Sequence, residues 1–218
     1  MIRGIIFDMD GVITDNNQYH EQAWTEFCSN YGISLTEEEI HQYIFGRVAR
    51  DTLEYIFKRE LSPDELSTYL DQKERIYRKL YEPHIKPVKG LMGLMASLKR
   101  QEYKLALATS APPGNVDFMF HHIAIQQFFD IVLDGDSIKK GKPDPEIYLK
   151  AVDWLGLTPT ECIIFEDSMP GIKAAIAAGA TVIGLATTHQ AALLKGVDMV
   201  IKDFTEFNAE RIADIGRI

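Results

Sequence analysis

The stretch Ile5-Ile6-Phe7-Asp8-Met9-Asp10-Gly11 sets an apolar run directly against two acidic residues one position apart and a glycine. Ile5-Ile6-Phe7 reads as a short buried strand. Strand geometry alternates side chains between faces, so Asp8 and Asp10 share a side only while the strand lasts, and Gly11 marks a turn. At the carboxyl end of a strand that opens an α/β sheet, such a turn delivers its carboxylates into the crevice where these folds bind ligands. On its own, D-x-D-G also describes an Asx-rich turn after a strand, so its meaning depends on what the other strand ends carry.

They carry matching chemistry. Cys162-Ile163-Ile164-Phe165 is a second apolar run and closes on Glu166-Asp167, after which Ser168-Met169-Pro170-Gly171 opens an alanine-rich helix that Gly179 ends; Ser168 suits an N-cap and Pro170 the first turn. Asp8, Asp10, Glu166 and Asp167 together form a like-charge cluster that needs a counter-cation to stay ionised in a cleft. Oxygen-only ligands select a hard ion, and Mg2+ is the expected one where a phosphate completes the shell. A third run, Lys104-Leu105-Ala106-Leu107-Ala108, ends in Thr109-Ser110, which brings a hydroxyl and backbone N–H groups to another strand tip. In Lys139-Lys140-Gly141-Lys142-Pro143-Asp144-Pro145, Pro143 disfavours the helical region for Lys142 and holds it extended, as suits a cation aimed at a fixed point. Lys139 and Lys140 read as solvated loop lysines.

The 218 residues suffice for one large domain or a domain with an insert. A composition of 46% hydrophobic and 25% charged residues is that of an ordinary globular protein. A formal net charge of −9 argues against nucleic acid or an acidic membrane as partner. A phosphate ester would therefore have to meet local positive charge from a metal and a few basic side chains. Cys28 and Cys162 are the two cysteines, expected as packed, reduced thiols of a cytoplasmic protein. Met1-Ile2-Arg3-Gly4 runs straight into the first strand, so no signal peptide is expected, and no apolar run reaches membrane-spanning length.

Between residues 15 and 87 the short apolar runs give way to helical spacing: Tyr19, Ala23, Trp24 and Phe27 over 17–30, a capping-box start at Thr36-Glu37-Glu38-Glu39 for a helix over 36–45, and a second at Ser62-Pro63-Asp64-Glu65 for a helix towards Leu80. From Lys89-Gly90-Leu91 onward helices and strands alternate: helices near 90–100, 114–122, 145–155 and 170–178, strands at 104–109, 130–133, 162–166, 181–185 and 198–201. That alternation implies a parallel sheet covered on both faces. The fold class expected is α/β, a parallel sheet core of 1–14 and 88–218 with an all-helical insert of 15–87.

In chain order the set reads D-x-D-G, T/S, K-P, E-D. It resembles the haloacid dehalogenase superfamily of aspartyl-phosphate-forming phosphotransferases, with DMDGVITD, LALATS, KKGKPDPEIY and IIFEDSMPGIKAA spread over essentially the whole chain. The resemblance implies a Rossmann-like core with a helical cap inserted after the first motif. It makes Asp8 the nucleophile, Asp10 the general acid and base that also offers the metal its backbone carbonyl, Thr109 the phosphate-binding hydroxyl, with Ser110 beside it, and Lys142 the charge anchor. Glu166 and Asp167 become the magnesium end. An aspartate at the second acidic position points, within the superfamily, to phosphatases and phosphomutases; dehalogenases lack it and P-type ATPases carry threonine there.

The segment from Asp8 to Trp24 also resembles the β-phosphoglucomutases, which implies substrate-side roles for His20, Arg50 and Lys73 of the insert, His20 coupling cap closure to Asp10. An ordinary hydrogen-bonded helix histidine is the competing reading of His20. The other histidines, His41, His84, His121, His122 and His189, show no ligand spacing. Where the mutases carry a Ser-Lys-Asn run that anchors a second phosphate, Ala111-Pro112-Pro113-Gly114-Asn115 follows here, and the spacing around Gly46-Arg47-Val48-Ala49-Arg50 is one residue longer. The leading expectation is a monomeric Mg2+-dependent phosphatase acting on a small phosphorylated metabolite such as a sugar phosphate, with β-phosphoglucomutase the alternative. A receiver-like regulatory domain, in which a strand-end Asp merely accepts phosphate, would use the same Asp, Thr/Ser and Lys, but the long insert argues against so compact a unit.

Overall fold

The computed structural model describes residues 1–36, 39 and 49–215. The chain folds as two compact units, Met1–Asp15 with Lys86–Ile218, and Asn16–Ile85.

The larger unit is built on six parallel strands, β1 (Gly4–Phe7), β2 (Lys104–Ala108), β3 (Ile131–Leu133), β4 (Cys162–Glu166), β5 (Thr181–Leu185) and β6 (Met199–Ile201). Their order is β3-β2-β1-β4-β5-β6. Every residue of β1 and β4 is buried, as expected for central strands of a parallel sheet with helices on both faces. The order reverses beside β1: the chain steps outward to β3 on one side, then returns to place β4 on the other. Phe7 pairs with Phe165 across that boundary, the two rings stacked at 5.1 Å between centroids. The last residues of β1 and β4 are therefore neighbours at the topological switch point, and the acidic residues following them emerge side by side.

The helical unit holds α1 (Asn17–Asn30), α2 (Ala49–Phe57) and α3 (Pro63–Tyr81), with a core of Trp24, Phe27, Cys28, Leu53, Ile56, Leu61 and Leu66. Among its described residues there is no strand. The capping box at Thr36 forms, Glu39 N–H donating to Thr36 Oγ1 and Thr36 N–H to Glu39 Oε2; the rest of the helix expected over 36–45 lies outside the described residues. Helix α2 is absent from the expectations above, because its buried Leu53 and Ile56 are too few apolar anchors in nine residues to announce a period. In the larger unit, α4 (Leu91–Arg100), α5 (Pro113–His122), α6 (Glu146–Leu155) and α7 (Met169–Ala178) fall within one or two residues of the ranges read from the sequence. A short α8 (Ala209–Ile215) was not expected.

No helix among the described residues is long and apolar enough to cross a membrane. Cys28 and Cys162 are free and buried, and burial pushes their thiols up, to about 11 and about 12.

Helix α3 starts with a reciprocal box: Ser62 Oγ accepts from Glu65 N–H at 3.3 Å, and Glu65 Oε2 accepts from Ser62 N–H at 2.9 Å. Ser62→Ala is expected to cost about 1 kcal/mol of stability, seen in urea unfolding as a lower midpoint with an unchanged slope; an unmoved midpoint would show that the box contributes nothing.

Candidate active site

Strand β1 ends at Phe7, one residue short of the first carboxylate. Asp8 N–H still donates to Phe165 O at 3.1 Å, which ties it to β4. The chain then turns: Ile13 N–H donates to Met9 O at 2.8 Å and Gly11 N–H to Thr14 O at 2.7 Å. Gly11 takes a φ of +74°, and a Cβ there would lie 2.0 Å from Asp167 Oδ2. Glycine is required both for the turn and for the approach of the second acidic segment.

Three carboxylates, those of Asp8, Glu166 and Asp167, have oxygens within 4.8 Å of one another, all buried. Asp10 was expected with them, yet its carboxylate is not in the set, and the residue is only half-buried. The alternation that would have kept it beside Asp8 stops with the strand, and Asp10 instead forms a bridge to Thr14 in the turn.

Lys142 supplies the cation. Its Nζ donates to Asp8 Oδ1 at 2.7 Å and to Glu166 Oε1 at 2.6 Å, and it sits 4.9 Å from the centre of the Tyr148 ring. The Lys142–Pro143 peptide bond is cis. Glu166 is enclosed by donors: Lys142 and Tyr148 OH (2.7 Å) on Oε1, and the N–H groups of Asp167 and Ser168 with Ser168 Oγ on Oε2, at 2.9, 3.0 and 3.0 Å. Its fit against α7 leaves no room for a side chain at Gly171, where a Cβ would stand 1.7 Å from Glu166 Oε1. Asp167 accepts from the Thr188 hydroxyl.

On the far side of β1, Thr109 is buried at the tip of β2. Its N–H donates to Leu133 O at 3.0 Å, and its Oγ1 accepts from Ala111 N–H at 3.1 Å, leaving its own hydrogen to donate. Ser110, next in line, is exposed. Asp8, Thr109, Lys142, Glu166 and Asp167 thus gather at the carboxyl end of the central strands, with Asp10 in the adjoining turn.

Burial raises Asp8 from 3.8 to about 7, with Lys142 opposing and Glu166 and Asp10 adding to the rise. Asp167 is pushed well above the usual carboxylate range by burial and by the charges of Glu166 and Asp8, against the Thr188 hydrogen bond. Burial would raise Glu166 as well, but the Lys142 ammonium and the bonds from Ser168 and Tyr148 outweigh it and hold Glu166 low. For Lys142 the pull of Asp8 and Glu166 overcomes burial and raises it. An all-oxygen set carrying more negative charge than one lysine offsets is a donor set that could hold a hard metal cation.

The sequence matches the haloacid dehalogenase-like hydrolase family over residues 5–185. The chain belongs to that family. It is 32% identical to a phosphorylated carbohydrates phosphatase of Thermotoga maritima over 82% of each chain. It is 29% identical to a β-phosphoglucomutase of Bacillus subtilis, covering 96% of this chain and 93% of that one. A solved HAD hydrolase, family IA, variant 3, from Entamoeba histolytica superposes with a TM-score of 0.93 at 33% identity over the whole of both chains.

Three residues of this hydrolase's site escaped the reading of its sequence. Tyr148 looks like an ordinary apolar position of an amphipathic helix, and the aromatic closing Lys142-Pro143-Asp144-Pro145-Glu146-Ile147-Tyr148 was its only signal. Thr187 and Thr188 follow β5 closely, the same strand-tip hydroxyl signal that singled out Thr109-Ser110. Thr187 Oγ1 donates to Gly11 O at 2.5 Å.

The remaining expected residues lie in the helical unit. Lys73 is 4% exposed. Its ammonium donates to Glu74 at 2.9 Å and to His20 Nδ1 at 2.8 Å, 5.2 Å from the Trp24 ring centre. An ammonium only donates, so Nδ1 of His20 accepts and the ring hydrogen is on Nε2. The His20 ring stacks on Tyr77 at 3.8 Å. Arg50 is exposed and pairs with Glu54 at 3.3 Å, one turn along α2.

The raised carboxyls carry a signed pH effect. With Asp8 raised from 3.8 to about 7, the folded chain holds more protons than the unfolded one in that window, so stability falls as pH rises through it. In chelator, the melting temperature is expected to fall between about pH 5 and pH 7.5, and less steeply in Asp8→Asn, which mimics the protonated group. Equal slopes for the two proteins would show that Asp8 titrates as an ordinary carboxyl.

Proposed function

We propose that this hydrolase is a Mg2+-dependent phosphatase that removes phosphate from a small phosphomonoester, a sugar phosphate, through an aspartyl phosphate on Asp8. The observation that carries this reading is Asp8 itself: a buried carboxylate at the end of the central strand, held at one oxygen by Lys142 and grouped with the carboxylates of Glu166 and Asp167. The phosphorylated-carbohydrate phosphatase among its relatives supports the substrate class.

Lys142 engages Oδ1, which leaves Oδ2 of Asp8 to attack phosphorus as the ester P–O bond breaks. Asp10, in the turn and not in the carboxylate cluster, donates its proton to the departing alkoxide. It then takes a proton from the water that attacks the acyl phosphate, releasing inorganic phosphate and restoring Asp8. Lys142 and the Thr109 hydroxyl neutralise and orient the transferred oxygens. Asp8, Asp167 and the backbone carbonyl of Asp10, with Glu166, would hold Mg2+, which when bound would supply Lewis-acid charge stabilisation. Of the two strand-end acids after β4, Asp167 is the better direct ligand, because Glu166 already accepts five hydrogen bonds.

Ser110 is assigned to the phosphate side, and His20, Arg50 and Lys73 of the helical unit to selection of the leaving group. β-Phosphoglucomutase activity is the second reading, favoured by the relative from Bacillus subtilis. Against it stands Ala111-Pro112, without the hydroxyl and ammonium that anchor a second phosphate in the mutases; in this fold Pro112 and Pro113 open α5.

The test is a panel of sugar phosphates assayed with Mg2+ for free phosphate and, with a sugar bisphosphate primer, for isomerisation of β-glucose 1-phosphate. Sustained phosphate release that stops in excess EDTA and is lost in Asp8→Asn is expected. Isomerisation with little free phosphate would make the protein a mutase, and full activity in EDTA would remove the metal.

Arg50→Ala is expected to lower kcat/KM for the best sugar phosphate while small aryl phosphates lose little. An equal loss on both would take Arg50 out of substrate selection. Lys73→Ala is a poorer probe, since it also dismantles the buried contacts with His20 and Glu74.

A further inference from the structure

Two adjacent threonines after β5 reach two different parts of the site. Thr187 Oγ1 donates to the carbonyl of Gly11, in the turn that carries Asp8 and Asp10. Thr188 Oγ1 donates to Oδ2 of Asp167. Both threonines are half-buried. The two contacts converge on one spot: a Cβ built on Gly11 would fall 2.0 Å from Asp167 Oδ2 and 2.8 Å from Thr188 Oγ1. Gly11, Asp167 and Thr188 are therefore in close packing, and the segment after β5 links the β1 turn to the β4 tip without being part of either.

We infer that Thr188 is a positioning residue for the metal end of the site: anchored through its neighbour Thr187 to the Gly11 carbonyl, it pins the Asp167 carboxylate in the orientation that a divalent cation needs. A carboxylate on a short side chain rotates about its Cβ–Cγ bond, and a hydroxyl fixed on one oxygen stops that rotation. The anchor matters as much as the bond. Without the Thr187 contact the hydroxyl of Thr188 would follow a surface loop; with it, the hydroxyl keeps register with the turn that delivers Asp8. The inference rests on the reading of Asp8 and Asp167 as Mg2+ ligands, and it assigns to the segment after β5 a part in the site that the four sequence motifs leave out.

The test measures Mg2+ binding directly, by calorimetric titration of the chelator-treated full-length protein, for wild type, Thr188→Val and Thr188→Ser. Valine keeps the shape and removes the hydroxyl; serine returns it. Groups that orient metal ligands typically contribute about 10- to 100-fold in metal affinity, so Thr188→Val is expected to weaken Mg2+ binding by at least about tenfold, with Thr188→Ser close to wild type. Thr188→Ala gives the same readout should the valine variant fail to fold. Unaltered Mg2+ binding in a folded Thr188→Val or Thr188→Ala, or a serine variant as weak as the valine one, overturns the positioning role and leaves the proposed function standing. Absence of Mg2+ binding in the wild type overturns both.

Discussion

One ammonium group holds together what would otherwise repel. Lys142 Nζ bonds to carboxylates from two different strand ends, Asp8 after β1 and Glu166 at the end of β4, and its side chain is 9% exposed. Buried like charges within 4.8 Å of one another are unfavourable unless a cation lies among them. The sheet order explains why the problem arises: adjacent β1 and β4, in register at Phe7 and Phe165, can only present their terminal residues side by side. The loop after β3 then has to bring a lysine back over the sheet. Tyr148 completes the arrangement, its ring beneath the ammonium and its hydroxyl on the carboxylate that the ammonium also binds. Two glycines make the close packing sterically possible, Gly11 against Asp167 and Gly171 against Glu166.

Much of this was legible in the sequence because it lies in short, contiguous signals. Apolar runs of three to five residues leading to Asp8, Thr109 or Glu166-Asp167 are strands with chemistry at their tips, and a parallel sheet collects such tips at its carboxyl end. The switch-point position of Asp8 and Glu166 depends on the strand order, which the alternation of elements does not give; alternation gives only the parallel sheet. Other features depend on distance in the fold. Tyr148 occupies a position of α6 that any large apolar residue would satisfy, and only the approach of Lys142 and Glu166 turns its hydroxyl into a site group. Thr188 is separated from Asp167 by 21 positions, and Asp10 left the carboxylate cluster because the strand ended at Phe7, a boundary that the D-x-D spacing does not encode.

The helical unit shows the same limit from the other direction. Helix α1 is plain from its spacing and α3 from its capping box, whereas a lysine on α3 reads as solvent-facing by default. Lys73 is instead enclosed by His20, Glu74, Trp24 and Tyr77, with Asn16 donating to the Tyr77 hydroxyl at 2.6 Å. Such a buried polar network raises the cost of changing any single member.

The way Glu166 is satisfied has a consequence for where an anion can dock. A helix N-terminus beside a strand tip is ordinarily a cradle for phosphate, its unpaired N–H groups and dipole turned towards the crevice. At α7 that cradle is filled from within. Glu166 folds back onto the N–H groups of Asp167 and Ser168, and the Ser168 hydroxyl accepts from Gly171 N–H at 3.2 Å. The donors at the entry to α7 are thus spent on groups of the same chain, so an anion docking at the proposed site would draw its backbone donors from the turns after β1 and β2.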